Sequence, residues 1–429
     1  MKEKFIKSTI VLIIGGAITK FLGMFIRIVM TRLVGTTGIG LYMLINPTFS
    51  LFMTLSQLSM PVAISKLVSE ERHSNKKIYF SNIPVILLFN FILMFIILIS
   101  ANTLANTFLH DSRCFLPIVS IALVLPFDAM SNMLRGYFFG KQRMIPHVIS
   151  HISEQLIRLS LIIIITPKLL SINLIYAVCS LVLVNLVSEL LSIFILLLFL
   201  PKNITITKDD LRPNKENIKD VLSISLPTTG GRLAGNIGYF LEPILLTSSL
   251  LLAGYNSNFI VTEYGIINGY VLPLLLMPGF FTGAISSALL PVISKAYYNN
   301  QKKYVKNKVK QACLLSLAIG LPVTIILMIY PEFFLQLFYN TANGASYIRI
   351  LAPFFILYYI ESPLSSTLQA INKSKNIMYD NLKGIISKCL AIYLLSMLHI
   401  GMNGLLVGII LNVVIVTVSH YFNIKKVLN

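Results

Sequence analysis

The sequence predicts an all-α polytopic membrane protein, with about 12 transmembrane helices in two parallel six-helix repeats around a central hydrophilic cavity. Three observations lead there. Of 429 residues, 56% are apolar and only 12% are charged, against about 25% charged in an average soluble domain. The mean hydropathy of +0.80 excludes a soluble globular protein and a disordered chain. The 35 Lys and Arg against 16 Asp and Glu give a net charge of +19, and those basic residues are unevenly placed along the chain.

A spanning helix needs about 20 mostly apolar residues, and in lipid every backbone polar group must be satisfied internally. Twelve stretches qualify: 5–30, 38–64, 78–106, 114–140, 147–166, 172–200, 219–252, 262–291, 309–330, 344–370, 377–398 and 401–424. The first has a basic start at Lys2, Lys4 and Lys7. Its apolar pattern runs on to Met30 with no small-residue cleavage site, so it reads as a retained span rather than a signal peptide. With the N-terminus inside, the cytoplasmic segments hold 24 of the 35 basic residues and the external loops hold Arg32, Arg113 and Lys168. This asymmetry predicts cytoplasmic N- and C-termini in a plasma membrane protein. The positive charge then reflects topology and anionic inner-leaflet lipid, and implies no nucleic-acid partner.

The longest polar stretch separates an N-terminal bundle (1–200) from a C-terminal one (219–429), with a cytoplasmic linker at 201–218. The halves echo each other. Met60-Pro-Val-Ala-Ile-Ser-Lys66 matches Leu290-Pro-Val-Ile-Ser-Lys295, and Leu134-Arg-Gly-Tyr-Phe-Phe-Gly-Lys-Gln-Arg-Met144 matches Leu368-Gln-Ala-Ile-Asn-Lys-Ser-Lys-Asn-Ile-Met378. The offsets are 229 at Lys66 and 234 at Leu134. An even number of spans per repeat makes the repeats parallel, a transporter architecture. Prolines inside the spans (Pro47, Pro126, Pro227, Pro243, Pro273, Pro278, Pro353 and Pro363) remove backbone donors and permit bends.

Charges inside the spans point to a site. Eight are basic (Lys20, Arg27, Arg135, Arg158, Arg232, Arg349, Lys383, Lys388) and six acidic (Asp128, Glu154, Glu189, Glu242, Glu361, Asp380). Each costs at least ~2.5 kcal/mol at bilayer depth unless it faces water or a partner. Lys20 and Arg27 share one face of the first span, about 10 Å apart along the axis, with no acid in that helix. Such a ladder suits an anion, phosphate above all. Arg232, after Gly230 and Gly231, is a third candidate, and Arg158 a fourth.

Glu154 and Arg158 stand at i,i+4, an ion-pair spacing, on a stripe with His147 and His151. Asp128, Glu154, Glu242 and Glu361 are candidates for coupling to a proton or sodium ion or for ion pairing. Glu189 and Asp380 read as structural, and Arg135, Arg349 and Lys383, near span ends, can reach toward the interface. No cofactor is expected. His-x3-His lacks a third metal ligand, and the four cysteines are too dispersed for a zinc or redox motif. Gly136-Tyr-Phe-Phe-Gly140-Lys141 departs from phosphate-loop spacing, so its glycines read as close helix contact.

Gly15-Gly-Ala-Ile-Thr-Lys-Phe-Leu-Gly23, Gly38-Ile-Gly-Leu-Tyr-Met-Leu-Ile-Asn-Pro47, Pro61-Val-Ala-Ile-Ser-Lys-Leu-Val-Ser-Glu70, Leu134-Arg-Gly-Tyr-Phe-Phe-Gly-Lys-Gln-Arg143 and Glu154-Gln-Leu-Ile-Arg158 carry a further signal. They resemble the stage V sporulation protein B branch of the polysaccharide-exporter and flippase superfamily. The resemblance implies an alternating-access flippase that moves an undecaprenyl-diphosphate-linked saccharide, a precursor of spore cortex or wall glycan, to the outer leaflet. It implies basic residues of the first helix in the cavity, with Lys20 at a position that is often Arg in that branch. Many relatives have fourteen helices, the last two lining a groove for the lipid tail. Twelve counted spans leave the tail route open, with a tail that stays in the bilayer as one alternative. Lipid-linked saccharide and membrane lipid are the expected partners, with wall-synthesis proteins as further candidates. Three rival readings remain at this point: a cation-coupled multidrug or metabolite antiporter of the same superfamily, a membrane glycan polymerase or ligase, and a scaffold without transport. The short external loops argue against an enzyme.

Overall fold

A computed structural model describes residues 2–70, 75–200 and 215–428. Among them the chain is helical throughout, with short turns between elements. The first helix, α1, runs Lys2–Gln57 and joins the first two expected spans without a loop. Its one residue off helical geometry is Gly35, at φ 68 and ψ −173. An L side chain rarely adopts that conformation, so a single glycine does the work expected of residues 31–37. Leu58 and Ser59, both at positive φ, end α1 and turn the chain into α2 (Met60–Glu70).

Helix α3 (Asn75–Phe80) leads into α4 (Ile83–Thr103), which a π-helical turn extends to Phe108. Three long helices follow: α5 (Phe115–Gly140), α6 (Met144–Leu170) and α7 (Leu174–Leu198). On α4, Leu88, Phe91, Ile92, Phe95, Ile96 and Ile99 are all exposed, an apolar face that only lipid would cover. After the interval at 201–214, where most of the expected linker lies outside the described residues, α8 spans Lys215–Leu252.

The expected span at 262–291 is not one helix. It is α9 (Ser257–Gly265), a π-helical segment, α10 (Leu272–Leu276) and then α11 (Gly279–Tyr298). Pro273 lies in the first turn of α10 and Pro278 caps α11, so both start helices instead of kinking one. The chain closes with α12 (Lys302–Ile329), α13 (Pro331–Tyr339), α14 (Ala345–Ala370), α15 (Ser374–Ser396) and α16 (Asn403–Leu428). Ten helical stretches of the described residues are long and apolar enough to cross a membrane, the first, Ile14–Glu70, being long enough for two crossings. Helices α14 and α15 have the length but are more polar.

The chain divides into two compact units, residues 1–240 and 241–429, with the boundary inside α8. In the first, α5 is central, packed by α1, α2, α4 and α7; in the second, α14 is central, packed by α11, α12 and α16. The internal repeat is visible in the backbone. His110 and Asn340, both left-handed, are 230 residues apart, as are Gln142 and Asn372. Met60, Ile64 and Leu67 in one core correspond to Leu289, Ile293 and Ala296 in the other, 229 residues on. On that 230-residue offset Leu134 falls opposite Leu364, about one helical turn before the Leu368 matched from the sequence. The glycines of α5 do serve close contact. A Cβ on Gly136 would sit 2.7 Å from the Pro61 backbone, and one on Gly140 2.7 Å from the Ser65 carbonyl, so α2 lies directly on α5.

Candidate functional site

The first unit contains a continuous polar chain buried among α1, α5, α6 and α7. Gln57 of α1 donates to Asp128 Oδ2 at 2.9 Å, and Asn132, one turn along α5, donates to Asp128 Oδ1 at 2.9 Å. Arg135 follows on the same face. Its Nη1 donates to Asn132 at 3.4 Å, while its Nη2 donates to Glu154 at 2.5 Å, to Ser192 at 2.8 Å and to Glu189 at 3.5 Å. Arg158 Nη2 reaches the other oxygen of Glu154 at 2.6 Å. Asp128, Arg135, Glu154 and Glu189 are each 4% exposed or less. Burial on this scale is tolerated only because opposite charges and hydrogen bonds answer it.

Arg135 therefore departs from the expectation. It does not reach toward the interface but is the hub of the network, because α6 and α7 bring Glu154 and Glu189 to it from 19 and 54 residues away. The i,i+4 pair of Glu154 and Arg158 forms as its spacing predicts. His147 packs on Phe139 and His151, with ring centroids 4.6 and 5.6 Å away, and no group of three or more metal-ligating side chains occurs among the described residues.

The second unit gives most of its in-span charges a local partner. Glu242 of α8 accepts from Lys388 of α15 and from the Tyr264 hydroxyl at 3.1 Å. Asp380 contacts His420 at 3.0 Å, Asn423 at 2.6 Å and Lys383 at 3.5 Å. Arg349 pairs with Glu332 at 2.8 Å. Lys388 and Arg158 lie 230 residues apart, so one repeat position is basic in both halves and paired in both. Glu361, on α14, makes no hydrogen bond or ion pair among the described residues.

Five of the eight basic residues in the spans thus have a carboxylate partner. The other three, Lys20, Arg27 and Arg232, have none among the described residues. Lys20 and Arg232 are exposed and Arg27 is half-buried. All three belong to the first unit. Around Lys20 and Arg232 the helices are bare, since a Cβ on Gly16, Gly23, Gly230, Gly231 or Gly235 would meet nothing within 4 Å.

Sequence reasoning missed the clasp that ties the middle of α8 to α1. Asn46 donates to the Tyr239 hydroxyl at 3.0 Å, Ser50 to Asn236 at 3.2 Å, and Asn236 to Thr54 at 2.8 Å. The signal was present, because Asn46, Ser50 and Thr54 repeat every four residues and so form one polar stripe on an apolar helix. Asn236 also reaches the Arg232 carbonyl at 3.4 Å, which places that cation one turn above the clasp.

Residues 5–297 match the family described as polysaccharide biosynthesis protein, and residues 237–394 match the MatE family. The chain is 35% identical to stage V sporulation protein B of Bacillus subtilis (strain 168), over 100% of this chain and 85% of that protein. It is 23% identical to lipid II flippase MurJ of the same organism, over 90% of this chain and 76% of that protein. Among solved structures it is similar to a multidrug resistance MATE family transporter of the MOP superfamily in an inward-facing conformation. The TM-score is 0.74 with 17% identity, covering 96% of this chain and 94% of that one, a likeness of fold alone. With a family match across residues 5–297 and a relative aligned over the whole of this chain, the chain belongs to the polysaccharide biosynthesis protein family, in its stage V sporulation protein B branch.

Proposed function

We propose that this protein is an alternating-access flippase for an undecaprenyl-diphosphate-linked saccharide, a wall or spore-cortex glycan precursor, working in the plasma membrane with both termini cytoplasmic. The names of its relatives, a sporulation protein and a lipid II flippase, support the substrate class. One observation carries the site: the three in-span cations without a carboxylate partner among the described residues are Lys20, Arg27 and Arg232. A cation without a protein partner at membrane depth faces water or an anion, and the diphosphate of the lipid carrier supplies an anion. Lys20 and Arg27 grip the diphosphate from α1, and Arg232 adds a contact from α8. Arg158 contributes its charge while tethered to Glu154.

Membrane potential or an ion gradient drives the cycle, with the N-terminal bundle (1–200) and the C-terminal bundle (219–429) as its moving parts. No bond is made or broken, so no catalytic residue is assigned. The test is reconstitution in liposomes with fluorescent undecaprenyl-diphosphate disaccharide-pentapeptide, measuring how much becomes accessible on the far leaflet. Translocation should occur, should vanish in Lys20→Ala/Arg27→Ala, and should survive Lys302→Ala on the exposed start of α12. Full activity of the double variant would refute the cationic site.

A further inference from the structure

The buried network of the first unit holds three carboxylates, Asp128, Glu154 and Glu189, against two guanidinium groups, Arg135 and Arg158. With every group ionised it would carry one uncompensated negative charge. The geometry shows which carboxylate is in surplus. Asp128 is satisfied by two amide donors at 2.9 Å, from Gln57 and Asn132. Glu154 receives both guanidinium groups, at 2.5 and 2.6 Å. Glu189 receives only the outer edge of Arg135, at 3.5 Å, with the Ser131 hydroxyl within hydrogen-bonding reach, although it is 3% exposed. A bare carboxylate so deeply buried is poorly held by one guanidinium contact at the limit of hydrogen bonding and a single neutral hydroxyl, whereas a neutral carboxyl is held well enough.

We propose that Glu189 carries an exchangeable proton, and that this proton sets how Glu154 is shared between Arg135 and Arg158. With the proton on Glu189, Arg135 turns to Glu154, which is the arrangement observed, and Arg158 holds Glu154 in competition with it. When the proton leaves to water, the Glu189 carboxylate draws Arg135 toward itself, and Glu154 is left to Arg158 alone. Arg158 is then more fully neutralised and less able to attract an outside anion. The charged and titratable groups around this proton are Asp128 and Arg135 on α5, Glu154, Arg158 and His151 on α6, and Tyr42 and Arg27 on α1. Tyr42 lies within electrostatic reach of both Arg158 and Arg27, which links the network to one of the α1 cations. Protonation of Glu189 and anion binding therefore favour each other, and by reciprocity an anion raises the proton's occupancy. This linkage rests on the proposed function; the proton site does not.

Infrared difference spectra of the full chain in liposomes, taken between acidic and alkaline buffer, test the site. The wild type should show a buried protonated-carboxyl band that disappears in alkali. The band should be absent from Glu189→Gln and shifted but present in Ser131→Ala. A band that survives in Glu189→Gln, or that is missing from both the wild type and Ser131→Ala, would overturn the assignment. Binding of inorganic pyrophosphate tests the linkage. Wild-type affinity should fall on the order of tenfold as the band disappears, and Glu189→Gln should bind equally at both ends of the titration. Wild-type binding that ignores pH would overturn the linkage, and no binding at any pH would overturn the anion reading while the band still decides the proton site.

Discussion

Replacing Arg135 by Met removes the charge at the hub of the network while keeping an unbranched side chain. Four contacts are lost at once: Glu154 at 2.5 Å, Ser192 at 2.8 Å, Asn132 at 3.4 Å and Glu189 at 3.5 Å. Glu154 keeps Arg158, but one of its oxygens is left bare in a site where it is 2% exposed. Breaking a buried pair from one side costs about 3–5 kcal/mol. For a unit of this size about 2–4 °C accompanies each kcal/mol, so the melting temperature should drop on the order of 10 °C. The cysteines provide the assay. Cys114 and Cys179 are free thiols buried in the first unit and should react with a thiol-sensitive dye only on unfolding. Arg135→Met/Glu154→Gln removes the orphaned charge together with its partner and should recover part of the loss. Melting of Arg135→Met within about 2 °C of the wild type would refute the claim that the network is held by charge. A double variant no better than the single one would assign the cost to packing.

Other outcomes follow from the same contacts. Gly136→Ala should destabilise the protein by about 1–3 kcal/mol in the same dye assay, because its Cβ would press on the Pro61 backbone at 2.7 Å. Gly16→Ala, in open space on α1, should be neutral or stabilise by up to about 1 kcal/mol through helix propensity. Lys388→Met leaves the buried Glu242 without its cation and should cost about 3–5 kcal/mol, with Lys388→Met/Glu242→Gln recovering part of it. Arg349→Ala breaks a half-exposed pair and should leave the melting temperature unchanged.

Much of the fold was legible because lipid enforces it. Long apolar stretches have to be helices, so the expected spans fall on helices of the structure, and the i,i+4 spacing was enough to pair Glu154 with Arg158. What was not legible depended on single residues or on distant segments. Gly35 turns the chain without a loop, and nothing around it distinguishes it from the glycines that stay helical. The break at Met277–Pro278 was hidden by continuous hydropathy. Arg135 was misplaced because its partners arrive from α6 and α7, and span length carries no information about which faces meet. In the second unit, Glu242 and Lys388 are 146 residues apart, a separation at which no local pattern operates.

The contact at Gly136 and Gly140 has a mechanical meaning. The space there takes a hydrogen atom and nothing larger, so α2 cannot slide along α5 as two ordinary helices can. The left-handed residues Leu58 and Ser59 break its helical continuity with α1, leaving α2 to take its direction from α5. The two helices behave as meshed teeth: any tilt of α5, and of the charges along it, is transmitted to α2. Lys66 stands on α2 with its side chain 57% exposed. A spin label or fluorophore attached there would report the movement of Asp128 and Arg135 from the outside, without altering either of them.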